Sequence, residues 1–178
     1  MTPQIPSESV PLDESRRTDR SQSTDKLQNT DELWMREALA EAQKCLERAP
    51  ADVPVGALCV FGGQVIARAH NRREIDGDPT AHAEVLALRA AAQHLGRWRL
   101  DGVTLYVTLE PCPMCAGAAV HARIRRLIFG SRDLRFGGVR SKFRIADSEL
   151  LNHSVEVVEG VLAAESVLLL KQFFGIRR

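Results

Sequence analysis

Val103-Thr104-Leu105-Tyr106-Val107-Thr108-Leu109 runs directly into Glu110-Pro111-Cys112-Pro113-Met114-Cys115. The first stretch is rich in β-branched and aromatic residues and reads as a strand. Pro111 biases Glu110 toward extended backbone, and Pro111 and Cys112 open a short helix that reaches about His121. A strand feeding a helix is the building unit of an α/β fold. The Cys-x-x-Cys spacing puts both sulfurs on neighbouring turns, close enough to share one ion at about 2.3 Å from each.

Upstream, Val55 to Val60 and Val65 to Ala69 read as two strands joined at Gly62-Gly63, a hairpin signal. Asp78-Pro79-Thr80 breaks the chain before a helix from about Ala81 to His94, with Gly96 just past its end. An earlier helix starts after Asn29 or Thr30, with Asp31 and Glu32 in its first turn. Leu33, Leu39, Ala42, Leu46 and Ala49 would form its buried face, and Pro50 would stop it. Downstream, Leu127 to Phe129 and Val155 to Val158 read as strands and Leu162 to Phe174 as a last helix; Ser131 to Ser148 shows no clear period. This order predicts a three-layer α-β-α domain over residues 31–178 with a central mixed sheet.

Residues 1–30 differ. Their apolar content is almost confined to Ile5, Val10, Leu12 and Leu27, too little to offset the entropy of ordering, so a disordered tail is expected. It lacks the apolar core of a signal peptide and carries the acids Glu8, Asp13, Glu14, Asp19 and Asp25, which a transit peptide avoids. With no long apolar run for a membrane span, the cytoplasm is the default. The 178 residues are 44% hydrophobic and carry a net charge of +1, so overall charge does not announce a nucleic-acid binder. Cys45 and Cys59 are expected as buried reduced thiols.

His82-Ala83-Glu84 lies at the start of the second helix. His82, Cys112 and Cys115 offer one imidazole and two thiolates, three ligands for zinc with a fourth position open to water, the mark of a catalytic site. Two thiolates bring the formal charge of such a site near zero. Its water is then harder to ionise than on an all-histidine site, so a neighbouring proton acceptor is needed. Glu84 is the candidate base. A Cys-x-x-Cys alone also suits structural zinc or redox chemistry, and Cys45 or Cys59 could supply a fourth ligand; neither alternative has a use for Glu84 or Pro111.

The pattern H-x-E…P-C-x-x-C is the signature of zinc deaminases. Around it the chain resembles the bacterial tRNA-specific adenosine deaminases of the cytidine-deaminase-like superfamily. The likeness runs from about Asp31 to the end. It rests on Val53-Pro54-Val55-Gly56-Ala57, Asn71, Pro79-Thr80-Ala81-His82-Ala83-Glu84, Leu105 to Cys112, Met114-Cys115-Ala116-Gly117-Ala118, Phe129-Gly130, Arg132-Asp133 and Glu159-Gly160-Val161-Leu162. The resemblance implies a cytidine-deaminase-like fold, a homodimer, one zinc ion per subunit, and hydrolysis of adenosine to inosine at the wobble position of tRNA anticodons. It implies that zinc-bound water, activated by Glu84, attacks adenine C6. Asn71 and the Ala83 backbone N–H would address the base, and Asp133 the anticodon stem-loop. Arg135 to Arg144 is bulkier and more basic than the small-residue segment of the family, and His70 stands where an aromatic is common.

Basic residues cluster at Arg72-Arg73, Arg123 to Arg126, Arg132 to Arg144 and Arg177-Arg178; beside a deaminase centre they suggest a phosphate-tracking surface. Trp34 and Trp98 are expected to pack. Two other functions would use the same residues: deamination of a small-molecule purine or pyrimidine, which predicts no salt-dependent RNA binding, and a non-catalytic zinc module, which would tolerate loss of Glu84.

Overall fold

The computed structural model describes residues 15–47 and 51–176. The chain divides into two units, Met1–Thr30 and Asp31–Arg178. In the first unit the described residues are helical: α1 runs Ser15–Gln43, beginning well before Asp31. Residues 15–30 carry no apolar stripe, so periodicity gives no sign of these early turns. Residues 1–14 of the expected tail, Ala49 and Pro50, and Arg177-Arg178 lie outside the described residues.

In the second unit, β1 (Gly56–Phe61) and β2 (Gln64–His70) form the expected antiparallel hairpin. Gly62 and Gly63 at its turn have φ of 58° and 75°, the left-handed pair that matches strand twist. β3 (Thr104–Leu109) joins β1 antiparallel, and β4 (Arg126–Ser131) and β5 (Glu156–Glu159) follow in parallel. The sheet is five-stranded and mixed, in the order β2-β1-β3-β4-β5. The helices are α2 (Arg73–Asp76), α3 (Ala83–Leu95), α4 (Pro113–His121) and α5 (Ala163–Ile176).

Strand alternation sorts the core into two layers. Ala57, Cys59, Leu105, Val107, Leu127 and Phe129 face Ala87, Leu88 and Ala91 of α3 and Ala116, Ala119 and Val120 of α4. Leu58, Val60, Tyr106 and Ile128 point the other way, against Met35 and Ala38 of α1 and Val161 and Leu162 ahead of α5. The buried apolar stripe of α1 is Met35, Ala38 and Ala42, with Cys45 in the short turn Lys44–Leu46 beyond it; Ala42 and the partly buried Leu39 keep their expected places, and Leu33 is exposed, contrary to expectation. The two alanines reflect close approach. A Cβ on Gly56 would sit 2.1 Å from the Ala38 carbonyl oxygen, so only small residues fit where α1 crosses β1. Tyr106 Oη donates to Asp31 at 2.7 Å, and Arg126 bridges Asp31 and Glu156.

The pairing also decides where a site forms. Gly56 pairs with His70, Ala57 with Val107 and Leu109 with Ser131, so the start of β1 and the ends of β2, β3 and β4 share one edge of the sheet. Ligands of open α/β sheets bind beyond the carboxyl ends of parallel strands.

Candidate active site

Three segments leave that edge and meet. Asn71 follows β2, Glu110 to Cys112 follow β3, and Arg132 to Phe136 follow β4. His82 caps α3 with extended backbone, and Cys112 caps α4 in the same way with Pro113 as the first helical residue. Glu84 lies in the first turn of α3, and Cys115 is in the first turn of α4.

The three expected ligands come together: their donor atoms all lie within 4.8 Å of one another. His82 Nδ1 is 3.7 Å from Cys112 Sγ and 3.5 Å from Cys115 Sγ. A tetrahedral ion at about 2.0 Å from nitrogen and 2.3 Å from sulfur needs N···S separations of about 3.5 Å. The residues therefore fit a zinc ion. Their proton chemistry fits as well. The hydrogen bond from Cys115, with help from His82, holds the Cys112 thiol down to about 4, overcoming burial. Cys115 is pushed far upward by the Cys112 thiolate and burial, so the pair shares one proton that a cation would displace. No Cys45 or Cys59 donor joins them; both are buried free thiols elsewhere in the core.

Glu84 is buried, lies outside the donor cluster and lines the same cavity. Burial first, and then the Cys112 thiolate, push its carboxyl up to about 7, against the pull of its own backbone N–H and His82. A cation beside it would act in the opposite sense. Ala83 and Asn71 also line the cavity. The Asn71 amide nitrogen donates to the Val53 carbonyl at 3.2 Å, and its Oδ1 has no partner among the described residues. The Ala83 N–H is at the first helical position, where no intrahelical acceptor exists.

Asp133 lines the cavity too, but its Oδ1 already accepts the backbone N–H groups of Arg135 (2.9 Å) and Phe136 (3.1 Å). It organises its own loop. The cavity, about 860 Å³, opens past Met114, Leu134, Phe136 and Phe174.

The chain's residues 29–178 match the MafB19-like deaminase family. It is 49% identical over 142 residues to the tRNA-specific adenosine deaminase of Bacillus subtilis (strain 168), covering 80% of this chain and 87% of that one. The chain belongs to the tRNA-specific adenosine deaminases. A solved tRNA:A34 deaminase, studied for A-to-I editing at the wobble position of transfer RNA, is 45% identical with a TM-score of 0.70, covering 74% of this chain and 94% of its own. The guanine deaminase of Nitrosomonas europaea is 26% identical with a TM-score of 0.69, covering 81% and 84%. The protein is thus a deaminase acting on C–N bonds, with the cytidine-deaminase-like α/β fold. Among the described residues no helix is long and apolar enough to cross a membrane.

One residue of this deaminase that carries no sequence signal organises the loop beside the site. Glu110 is buried, and its carboxylate accepts the backbone N–H groups of Asp133, Val139, Arg140 and Ser141, and the Ser141 hydroxyl. It ties the whole loop after β4 to the segment that presents Cys112. The basic clusters are also less free than their sequence suggests: Arg72 pairs with Asp76, Arg132 with Glu159, and Arg140 and Arg144 with Asp147. Trp98 is 63% exposed with Arg99 beside its ring, correcting its expected packing role, whereas Trp34, on α1, does pack against the core between that helix and the sheet.

Proposed function

We propose that this deaminase converts adenosine to inosine at the wobble position of tRNA anticodons, as a cytoplasmic homodimer with one zinc ion per subunit. The reading is carried by a buried Glu84 beside a zinc-spaced His82, Cys112 and Cys115, in a chain so close to tRNA-specific relatives. Zinc held by those three side chains would supply Lewis-acid polarisation of the attacking water.

The protein's own residues supply the rest. Hydrolysis adds a water oxygen to adenine C6 and breaks the bond to the exocyclic nitrogen, which leaves as ammonia. One water proton must pass to the ring nitrogen, and as the C–N bond breaks the second must pass from the new hydroxyl to the departing amine. The Glu84 carboxylate, buried beside the site, accepts and returns each in turn. Asn71 and the Ala83 N–H have the polar atoms to hold the purine edge, and closure of the cavity around the base excludes bulk water. An adenosine in a duplex cannot reach such a pocket, whereas one in an anticodon loop can be splayed into it.

The test is inosine formation in an anticodon stem-loop with adenosine at the wobble position, with free adenosine, guanine and cytidine in parallel. Inosine in the stem-loop alone is the expected result. The likeness to a guanine deaminase gives the competing outcome a concrete form: ammonia from a free base with the stem-loop untouched would place the enzyme in small-molecule purine or pyrimidine chemistry.

A further inference from the structure

We propose that Phe136, backed by Arg135, is a stacking platform for a nucleotide adjoining the reacting adenosine; the inference rests on the RNA-substrate reading above.

Phe136 is 64% exposed and Leu134 72%, both on the rim of the cavity that contains Glu84 and the donor cluster. Met114 and Phe174 complete an apolar mouth. Single exposed apolar residues are ordinary, but four converging on one opening mark a surface that a ligand covers. The cavity is far larger than one purine base, so it has room for a neighbouring nucleotide as well.

Charge decides which ligand. The two carboxylates of this loop region are engaged internally, Asp133 by the Arg135 and Phe136 amides and Glu110 by the loop backbone. Arg132 is paired with Glu159. Arg135 instead has its guanidinium 6.0 Å from the Phe136 ring centroid, with no carboxylate partner among the described residues. An aromatic face beside an uncommitted arginine suits a base stacked on the ring with its phosphate near the cation, the usual grammar of single-stranded RNA recognition.

The backbone that carries the ring is also held in place. The Gly137 N–H donates to the Asp133 carbonyl at 2.8 Å, and Asp133 Oδ1 caps the two preceding amides. A platform fixed before binding loses little entropy when the base arrives.

The experiment is steady-state kinetics of zinc-loaded wild type, Phe136→Ala, Phe136→Trp and Phe143→Ala on the wobble-adenosine stem-loop. The substrates are the intact loop and loops with an abasic site on either side of the target. Phe136→Ala should raise KM roughly 5- to 100-fold with little change in kcat, and Phe136→Trp should restore it. Phe143 is exposed but does not line the cavity, so its loss should change nothing. One abasic position should cost wild type the same factor and cost Phe136→Ala almost nothing. An unchanged KM in Phe136→Ala, or penalties that multiply independently, overturns the platform and leaves the ring to contacts with protein. If wild type itself forms no inosine in the stem-loop, the RNA reading fails, a result distinct from either.

Discussion

Glu110 and Arg140 are 30 residues apart, yet the Glu110 carboxylate accepts the Arg140 backbone N–H at 2.6 Å. The same carboxylate takes the amides of Asp133, Val139 and Ser141. Burial raises its pKa, but the hydrogen bonds from Ser141, Arg140 and Asp133 outweigh that and keep it below the usual carboxylate value. A buried negative charge surrounded by amides replaces regular secondary structure as the organiser of residues 133–141. It joins the rim of the cavity to the segment bearing Cys112, since the Gly138 N–H also donates to the Pro111 carbonyl at 2.8 Å.

Removing that charge should therefore cost both stability and order. Glu110→Ala leaves several buried amides without an acceptor, a loss of about 3 kcal/mol, or roughly 6–12 °C in Tm for a chain of this size. Glu110→Gln keeps one acceptor oxygen and should fall between. Thermal melting with hydrogen exchange over 133–141 checks this. A Glu110→Ala protein that melts like wild type with the same amide protection would remove Glu110 from this role.

The thiols should separate cleanly by reactivity. Burial pushes Cys59 up to about 12 and Cys45 up to about 11, and neither is open to a reagent. Cys112 is half-buried beside the cavity. Iodoacetamide should leave all four cysteines intact in zinc-loaded protein and label Cys112 first once a chelator has removed the metal. Peptide mass mapping reads the result. Native labelling of Cys45 or Cys59, or equal labelling of Cys112 with and without chelator, would contradict the assignment.

Much of this was legible from local signals. Gly62-Gly63 announced the hairpin, and the run from Val103 into Cys112-Pro113-Met114-Cys115 announced a strand delivering a Cys-x-x-Cys pair to a helix start. His82 and Glu84 were readable because one helix turn places them. What stayed hidden depends on distant partners. The loop after Ser131 has no period of its own because Glu110, in another segment, supplies its acceptor. That Asp133 Oδ1 caps the amides of Arg135 and Phe136 is equally invisible, because loop geometry sets it and no local pattern does. The close packing of Ala38 and Ala42 on the sheet follows from the missing side chain of Gly56, which nothing in the helix's own sequence announces.

Glu84 and the metal donors should part company under mutation. Glu84→Ala should keep zinc and lose turnover by at least about 10²–10⁴-fold, the usual worth of a general acid–base. Cys112→Ala should lose zinc and turnover together. Metal content by atomic emission, measured beside inosine formation, checks both. Loss of zinc from Glu84→Ala would make Glu84 a ligand and end its assignment as the proton carrier.

Gly138 gives the sharpest steric prediction. A Cβ there would meet Pro113 N at 2.7 Å and Cys112 C and Pro113 Cα at 2.8 Å, all backbone atoms. Nothing flexible can yield, so Gly138→Ala must move either the loop or the first turn of α4. Overpacking of this kind costs about 1–3 kcal/mol, and if α4 yields, the cost comes out of zinc binding as a roughly 5- to 150-fold weaker affinity. Gly175→Ala is the control, because its Cβ meets nothing within 4 Å. Competition against a chromophoric chelator measures the affinities, and thermal melting measures the stability. Weakened zinc binding in Gly138→Ala alone would show that the loop helps to hold Cys112 in place. Wild-type affinity with a lowered Tm would show that the loop takes up the strain and that the metal donors stand without it.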